Sequence, residues 1–256
     1  MEQTKPTFPT EEVTLPSKGL LYPKDSPLSK GTIEMRYMTA KHEDILTNQN
    51  YINNGTVIDK LLHELIVTPI NYNDLLIGDK NALLVAARIL GYGADYEITL
   101  NNPSTGVEEK VTIDLTEADD KELDKSLVKN GVNGFNFTLP TTKNELTFKI
   151  LTHGDEKKIE QELKGLKKLN KIQSSELTTR LKYFITSVDG DGEKKIIRKF
   201  VDDNLLARDA RALREYASSI MPDIDLTFDV EFDNGHIEEG TQIPIGVGFF
   251  WPDAGV

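Results

Sequence analysis

The side chains that most often bind metals in proteins are sparse and scattered in this chain. Its four histidines, His42, His63, His153 and His236, stand in different segments. A zinc site needs several ligands at short, characteristic spacings, and these histidines have no such spacing. We therefore interpret each as an isolated surface or core residue, and we predict no metal ligands.

One acidic segment has some features of a calcium-binding loop. Residues 189–193 (DGDGE) alternate carboxylates with glycines. An EF-hand loop also needs a third oxygen ligand two residues further on and a glutamate at its twelfth position. Here Lys194 and Lys195 follow at once, and Phe200 occupies the twelfth position. We interpret the segment as a glycine-rich connection between two helices.

Enzyme signatures are missing from the rest of the sequence. It contains neither the Gly-x-Ser-x-Gly of a nucleophile elbow nor the phosphate-binding Gly-x-x-x-x-Gly-Lys-Ser/Thr. Among 42 acidic residues, coincidental carboxylate pairs are certain, so no acid–base pair is singled out. We predict a protein that is not an enzyme, with no catalytic residues, no cofactor-binding residues and no cofactor.

The most distinctive side chains form an aromatic run near the C-terminal end, Phe249, Phe250, Trp251 and Pro252. Successive residues of a strand point to opposite faces, so three adjacent aromatic side chains cannot all face one core. Either the strand is covered on both faces within the chain, or an aromatic side chain anchors a partner protein. These four residues are therefore candidate partner contacts.

The composition argues against several classes of protein. A net charge of −12 disfavours a general nucleic-acid binder, which needs a basic surface. No run reaches the roughly 20 apolar residues that span a bilayer, and the first residues lack the apolar core of a secretory signal. Cysteine is absent, so disulfides and thiolate metal sites are excluded, and we expect folding in a cytoplasm.

Residues 1–36 are predicted to form an extended arm. Five prolines remove backbone donors there and keep the preceding residues out of helices. The arm also carries apolar side chains, which pack either on the chain's own domain or on a neighbouring protein. The candidate partner contacts of the arm are Leu15, Leu20, Leu21 and Tyr22.

Hydrophobic periodicity divides the remaining sequence into four parts. Apolar residues recur at helical spacing in two of them and alternate with a period of two in the others. The predicted parts are a helical unit (37–93), a small antiparallel β domain (94–152), a helical domain (153–222) and a C-terminal β segment (223–256). The predicted fold class is α+β, with helical units flanking a small antiparallel β insert and with a C-terminal β hairpin.

Three residues are predicted to mark helix ends in the first helical unit. Thr39 is expected to cap a helix with Glu43 near the capping-box position. Asp79 is expected to cap the last helix, and Gly91 to end it.

Eight short motifs occur in an order that resembles one known family. They are 13–23 (VTLPSKGLLYP), 38–40 (MTA), 43–48 (EDILTN), 74–80 (DLLIGDK), 88–93 (RILGYG), 187–190 (SVDG), 208–214 (RDARALR) and 249–252 (FFWP). Together they resemble the baseplate-hub family of T4-like phages over nearly the whole chain.

The chain departs from this family in its cysteines. Members often carry Cys-Pro-x-Cys-Gly in the first hairpin and a second cysteine pair near a C-terminal Gly-His. Here the first place reads NPSTG (102–106) and the second reads DNGH (233–236). Residues that favour turns stand in these places, and we predict no zinc.

The resemblance implies a structural subunit of the baseplate hub in a contractile tail. Its implied partners are other phage baseplate or tail proteins. The resemblance is also compatible with a homo-oligomer. The expected location is the tail baseplate of the virion, after assembly in the host bacterial cytoplasm. Deleting residues 1–25 is then expected to disrupt assembly without unfolding the domain.

Two alternatives remain. The segment 188–190 and the helices after it are also loosely similar to tail-assembly chaperones, which leave before the tail is complete. A wall hydrolase carried in the tail is a more remote alternative, because the sequence shows no catalytic constellation.

Overall fold

A computed structural model describes residues 9–168 and 175–250 of the chain. Within these ranges the fold is α+β, as predicted, with eight α-helices and several small antiparallel sheets. None of the described helices is both long enough and apolar enough to cross a membrane.

The first described element is a β-hairpin that occupies most of the predicted arm. Strand β1 (Thr10–Thr14) pairs antiparallel with β2 (Thr32–Arg36), and a series of turns connects them. The segment 9–36 is therefore folded back on itself instead of extended. The physical reason is burial: Leu15 and Leu28 are at most 1% exposed, and burying a leucine side chain stabilises by about 1.5–3 kcal/mol.

Four helices follow in the predicted helical unit of residues 37–93. They are α1 (Ala40–Leu46), α2 (Gln49–Asn53), α3 (Val57–Leu65) and α4 (Ile77–Tyr92). Thr39 precedes α1 as predicted, but His42 takes the place expected for Glu43, since its Nδ1 accepts the Thr39 backbone N–H at 2.9 Å.

Both predicted ends of α4 differ from the observed ones. The helix begins two residues before Asp79, whose carboxylate is used by the N-terminal segment instead of by the helix end. It also continues through Gly91 to Tyr92, and Gly93, with a φ of 89°, follows as the terminal residue. Gly91 is helical, and a Cβ there would overlap the side chain of Met38.

The remaining described elements are nine strands and four helices. The strands are β3 (Asp95–Asn101), β4 (Glu108–Asp114), β5 (Asp119–Lys121), β6 (Phe135–Thr138), β7 (Glu145–Phe148), β8 (Ile185–Val188), β9 (Asp223–Asp225), β10 (Thr227–Glu231) and β11 (Ile237–Gln242). The helices are α5 (His153–Lys168), α6 (Glu176–Phe184), α7 (Lys194–Lys199) and α8 (Ala207–Ile220). A π-helical turn (Phe200–Asn204) extends α7.

The two hairpins predicted within residues 94–152 are present but lie in separate sheets. Strands β3 and β4 form one two-stranded sheet, whereas β6 and β7 form a three-stranded sheet with β8. Strand β8 falls within the range predicted as a helical domain (153–222). Its β-branched residues Ile185, Thr186 and Val188 favour the strand, and pairing with β7 satisfies their backbone groups. The 189–193 segment therefore connects a strand, not a helix, to α7.

Strand β5 joins the middle of the chain to its C-terminal part by pairing with β9. The stretch around β5 is acidic, and the pairing partner of β5 lies about a hundred residues away. Next to β9, Gly78 of α4 approaches the backbone so closely that a Cβ would overlap the Pro222 carbonyl oxygen.

The C-terminal β hairpin forms as predicted, from β10 and β11 with a turn over 233–236. The aromatic run does not continue as a strand. Residues Val247–Phe250 form a 3-10 turn, so adjacent side chains are not directed to opposite faces, and Phe249 and Phe250 are both buried. The ring of Phe249 lies 5.0 Å from that of Tyr96.

One cluster of buried apolar side chains connects these elements. Its members include Leu15, Leu61, Leu146, Leu213 and Phe250, one from each range predicted as a separate unit. The ranges therefore share a core, and their independence as domains stays a prediction.

Candidate functional site

One predicted contact residue of the N-terminal segment, Tyr22, contacts a buried carboxylate, Asp79. Its Oδ1 accepts the backbone N–H of Ser17 at 2.9 Å, and its Oδ2 accepts the Ser17 hydroxyl at 2.7 Å. Oδ2 also accepts the Tyr22 hydroxyl at 2.6 Å. The same Tyr22 oxygen accepts the backbone N–H of Leu76 at 2.9 Å. These four residues, called the Asp79 cluster below, join the N-terminal segment to the start of α4.

The electrostatics of the Asp79 cluster suit a structural role. Burial raises the pKa of Asp79 above its ordinary value, against the opposing effect of the hydrogen bonds from Tyr22 and Ser17. Burial and the neighbouring Asp79 also raise the pKa of the Tyr22 hydroxyl well above its ordinary value. Tyr22 therefore stays protonated at neutral pH and donates a permanent hydrogen bond.

The motif Ser17-Lys18-Gly19 makes three different contacts. The Ser17 hydroxyl donates to the buried Asp79 carboxylate, and Lys18 Nζ lies 2.6 Å from Asp120 Oδ2. Gly19 and Gly31, with φ of 76° and 75°, let two turns approach each other, since a Cβ on either would overlap backbone atoms. The motif thus holds the N-terminal segment against both α4 and β5.

An open groove of about 460 Å³ lies beside the Asp79 cluster. We call it the N-terminal groove. Its floor includes the buried residues Leu21 and Tyr22, and its lining also includes Pro23, Asp25 and Asp74, all of which are exposed. The two rim carboxylates give this surface a negative charge that faces solvent.

Most predicted contact residues lie inside the chain's own core. Leu15, Leu21, Tyr22, Phe249 and Phe250 are buried, and Leu20 is partly buried. Trp251 and Pro252 lie outside the described residues. The structure thus favours, for the described part of both segments, the alternative in which they pack on their own chain. Contact between these side chains and a partner stays a prediction.

This burial changes what a truncation would do. Deleting residues 1–25 would remove Leu15 and Tyr22 from the core and would leave Asp79 without the hydrogen bonds of Ser17 and Tyr22. A buried charge without partners is strongly destabilising. From these contacts we expect the deletion to destabilise the fold, in contrast to the expectation from the sequence, and the outcome of the truncation stays a prediction.

A cluster of titratable side chains on three helices was not predicted from the sequence. Lys80 Nζ lies 2.7 Å from Asp59 Oδ1 and 3.3 Å from His153 Nδ1, while His153 Nε2 lies 3.3 Å from Asp59 Oδ2. The Tyr72 hydroxyl donates to Asp59 Oδ1 at 3.2 Å, and its ring lies between those of His63 and His153. No sequence spacing relates these positions, so nothing in the sequence could have indicated the cluster.

The groups of this Asp59 cluster interact with one another, although the buried His153 Nε2, 3.3 Å from Asp59 Oδ2, is poorly aligned for a hydrogen bond. Burial alone would raise the pKa of Asp59, but its interactions with His153 and Lys80 outweigh it and hold that pKa well below its ordinary value. Burial and Asp59 together raise the pKa of Tyr72. Among the described residues, no group of three or more His, Asp or Glu side chains is arranged to hold a metal ion. The cluster acts as an ion-pair network that joins α3, α4 and α5.

The two turns at which the resemblance implied cysteine pairs meet in space. Asn102 Nδ2 donates to Asn234 Oδ1 at 3.2 Å, and Asn234 Nδ2 donates to the Ser104 hydroxyl oxygen at 2.8 Å. Glu109 accepts both the Asn102 side-chain amide at 2.9 Å and the Asp233 backbone N–H at 3.1 Å. Hydrogen bonds between side chains therefore join the first hairpin to the C-terminal one.

A family model described as T4 bacteriophage base plate protein matches residues 9–238. The matched range contains the Asp79 cluster, the N-terminal groove and the Asp59 cluster, and it ends before the aromatic run. No curated protein matches the chain, and no solved structure matches it.

Proposed function

The chain belongs to the T4 bacteriophage base plate protein family, and we propose that it is a permanent, non-enzymatic subunit of the baseplate hub in a contractile tail. Membership makes it a structural protein of the phage tail, with other tail proteins as partners. The observation that carries the proposal is the extent of the match, which covers most of the chain and both hydrogen-bonded clusters.

The chemistry of the two clusters supports a structural role. Asp79 accepts three hydrogen bonds inside the fold, and Asp59 is held between Lys80, His153 and Tyr72. These hydrogen bonds and ion pairs hold the helices and the N-terminal segment in their packed positions.

The proposal includes the N-terminal groove as a contact surface for another tail protein. Pro23 presents apolar surface there, and Asp25 and Asp74 present negative charge. An extended segment of a partner that carries a lysine or arginine would complement both features. Leu21 and Tyr22 line this groove and Leu15 does not, so the proposed contact includes two of the side chains predicted as partner contacts.

The proposal is tested by complementing a phage whose copy of this gene is inactivated. The double variant Asp25→Lys, Asp74→Lys reverses the charge of the groove and is expected to reduce both infectious particles and incorporation of the protein. The control Glu12→Lys, Asp44→Lys makes the same charge change at exposed positions away from the groove. If both doubles complement like the wild type, the groove is not a contact surface.

A further inference from the structure

A second cavity, of about 360 Å³, lies between α5, α6, α7 and β8. We call it the basic cavity. Its floor includes the apolar side chains of Ile185 and Ile197, both buried, and Thr186 and Gly192 lie in its wall. The other lining residues are mainly charged, and most of them are cations.

Five cations and one carboxylate line the basic cavity. The cations are Lys149, Lys158, Lys182, Lys194 and Arg198, and the carboxylate is Asp155. This is unexpected in a chain whose net charge is −12. A concentration of positive charge over an apolar floor attracts anions more strongly than the same charges would on an open surface.

Three of the five cations are paired closely with carboxylates of the chain. Lys149 Nζ lies 2.6 Å from Asp155 Oδ2, and Lys182 Nζ lies 2.7 Å from Asp202 Oδ1. Arg198 makes a two-point contact with Glu162, with N–O distances of 2.7 and 2.6 Å. These pairs neutralise three positive charges and hold them in place.

The remaining two cations carry the excess charge. Lys158 lies 3.8 Å from Asp155, which Lys149 already holds more closely, and the Lys158 side chain is 64% exposed. Lys194 is exposed and has no carboxylate within ion-pair distance in the described part of the chain. With five cations against Asp155, Asp202 and Glu162, the cavity has a surplus of two positive charges.

The type of the free cations indicates the class of anion. The Arg198 guanidinium is occupied by Glu162, so the planar fork that suits phosphate is not available. Two lysine ammonium groups on flexible stems can pair with one or two carboxylates, and a surplus of two positive charges is small for a polyanion. The negative charge of the whole chain also repels a nucleic-acid backbone.

We propose that the basic cavity binds an acidic segment of another baseplate protein, with Lys158 and Lys194 pairing with its aspartate or glutamate side chains. The inference rests on the proposed function, because it assumes that this surface is presented to protein neighbours. It adds to the N-terminal groove a second contact surface, of opposite charge.

The test measures binding of a capped peptide that carries two glutamates to the full-length protein by isothermal titration calorimetry in low salt. The double variant Lys158→Gln, Lys194→Gln is expected to weaken binding about three- to tenfold, since each exposed pair contributes modestly. The control Lys125→Gln, Lys129→Gln removes the same charge from exposed positions outside the cavity and is expected to bind like the wild type. Circular dichroism confirms that both doubles are folded.

Three outcomes would overturn the inference. The wild type fails to bind the peptide in low salt, or the two doubles lose affinity equally, which would indicate attraction by overall charge only. Alternatively, inorganic phosphate binds as tightly as the peptide and loses affinity in the cavity double, which would make this a phosphate site. None of these results bears on whether the protein is present in the mature tail, so failure of the inference is distinct from failure of the proposed function.

Discussion

The Tyr22 hydroxyl donates a hydrogen bond of 2.6 Å to Asp79, a carboxylate 57 residues further along the chain and fully buried. The same oxygen accepts the Leu76 backbone N–H. One side chain of the N-terminal segment thus satisfies two buried polar groups at the start of α4. This relationship makes the segment part of the folded core.

Replacing Tyr22 with phenylalanine tests the importance of this contact. Tyr22→Phe leaves both Asp79 and the Leu76 N–H short of a partner, so we expect the free energy of unfolding to fall by about 1–3 kcal/mol in urea at neutral pH. Tyr37→Phe is the control, because that hydroxyl bonds to Glu11 at the surface. Its expected change is below about 0.5 kcal/mol. Equal losses in the two variants would contradict the account.

Two helical glycines provide a matched pair for testing the packing. Gly78 lies against the Pro222 carbonyl oxygen, whereas nothing lies within 4 Å of the Cβ position at Gly165 in α5. Gly78→Ala is expected to destabilise by about 1–3 kcal/mol through overpacking. Gly165→Ala is expected to stabilise by about 0.5–1 kcal/mol, as alanine does in an open helix. Thermal unfolding of both variants checks the pair, and stabilisation by Gly78→Ala would contradict the described contact between α4 and the segment before β9.

The Asp59 cluster predicts a specific acid sensitivity. Since the pKa of Asp59 in the folded protein lies below its ordinary value, its contribution to stability is present above about pH 4 and is lost as the pH falls. Asp59→Asn should lower the free energy of unfolding by about 1.5–3 kcal/mol at neutral pH. As the pH falls, the variant should then lose less stability than the wild type.

The control for this pH series is Asp44→Asn, at an exposed position of α1. Urea unfolding of both variants and the wild type between pH 7 and pH 3 separates the contribution of the cluster from that of the general charge. If Asp59→Asn and the wild type lose stability in parallel as the pH falls, Asp59 is not the group that gives the acid sensitivity.

The turns joined by Asn102 and Asn234 predict that the protein does not depend on zinc. The contact is made by amide and hydroxyl groups, which need no metal to pair. A chelator such as EDTA is therefore expected to leave the thermal midpoint unchanged, and elemental analysis to find no stoichiometric zinc. Asn102→Ala, by contrast, should destabilise by about 1–3 kcal/mol because it removes a buried side chain and its hydrogen bonds to Ser104, Glu109 and Asn234. A chelator-induced fall in the midpoint would contradict this prediction.

Hydrophobic periodicity within single segments was sufficient to predict several of the helices and hairpins. Alternation identified β3 with β4 and β10 with β11, and helical spacing identified α4 and α8. The class of fold follows from these. Strand β8 was missed because its four residues follow α6 directly and continue the apolar spacing of that helix. Only the pairing with β7 shows that they form a strand.

Contacts between distant residues could not be predicted from one sequence. The Ser17–Lys18–Gly19 motif was recognised as characteristic, but its partners Asp79 and Asp120 are chosen by the tertiary fold. The Asp59 cluster and the basic cavity likewise combine residues from several helices. Within any one helix, these charged residues form no unusual pattern. Prolines in the N-terminal segment suggested an extended arm, although the leucines among them determine that it folds onto the core.

The central claim, a permanent subunit of the baseplate, is tested most directly by quantitative mass spectrometry of purified, mature phage particles. The account predicts peptides of this chain at a few to about a dozen copies per particle, as expected for a closed symmetric assembly. Finding the chain only in infected-cell lysate, bound to unfinished tails, would contradict that claim and would identify an assembly chaperone.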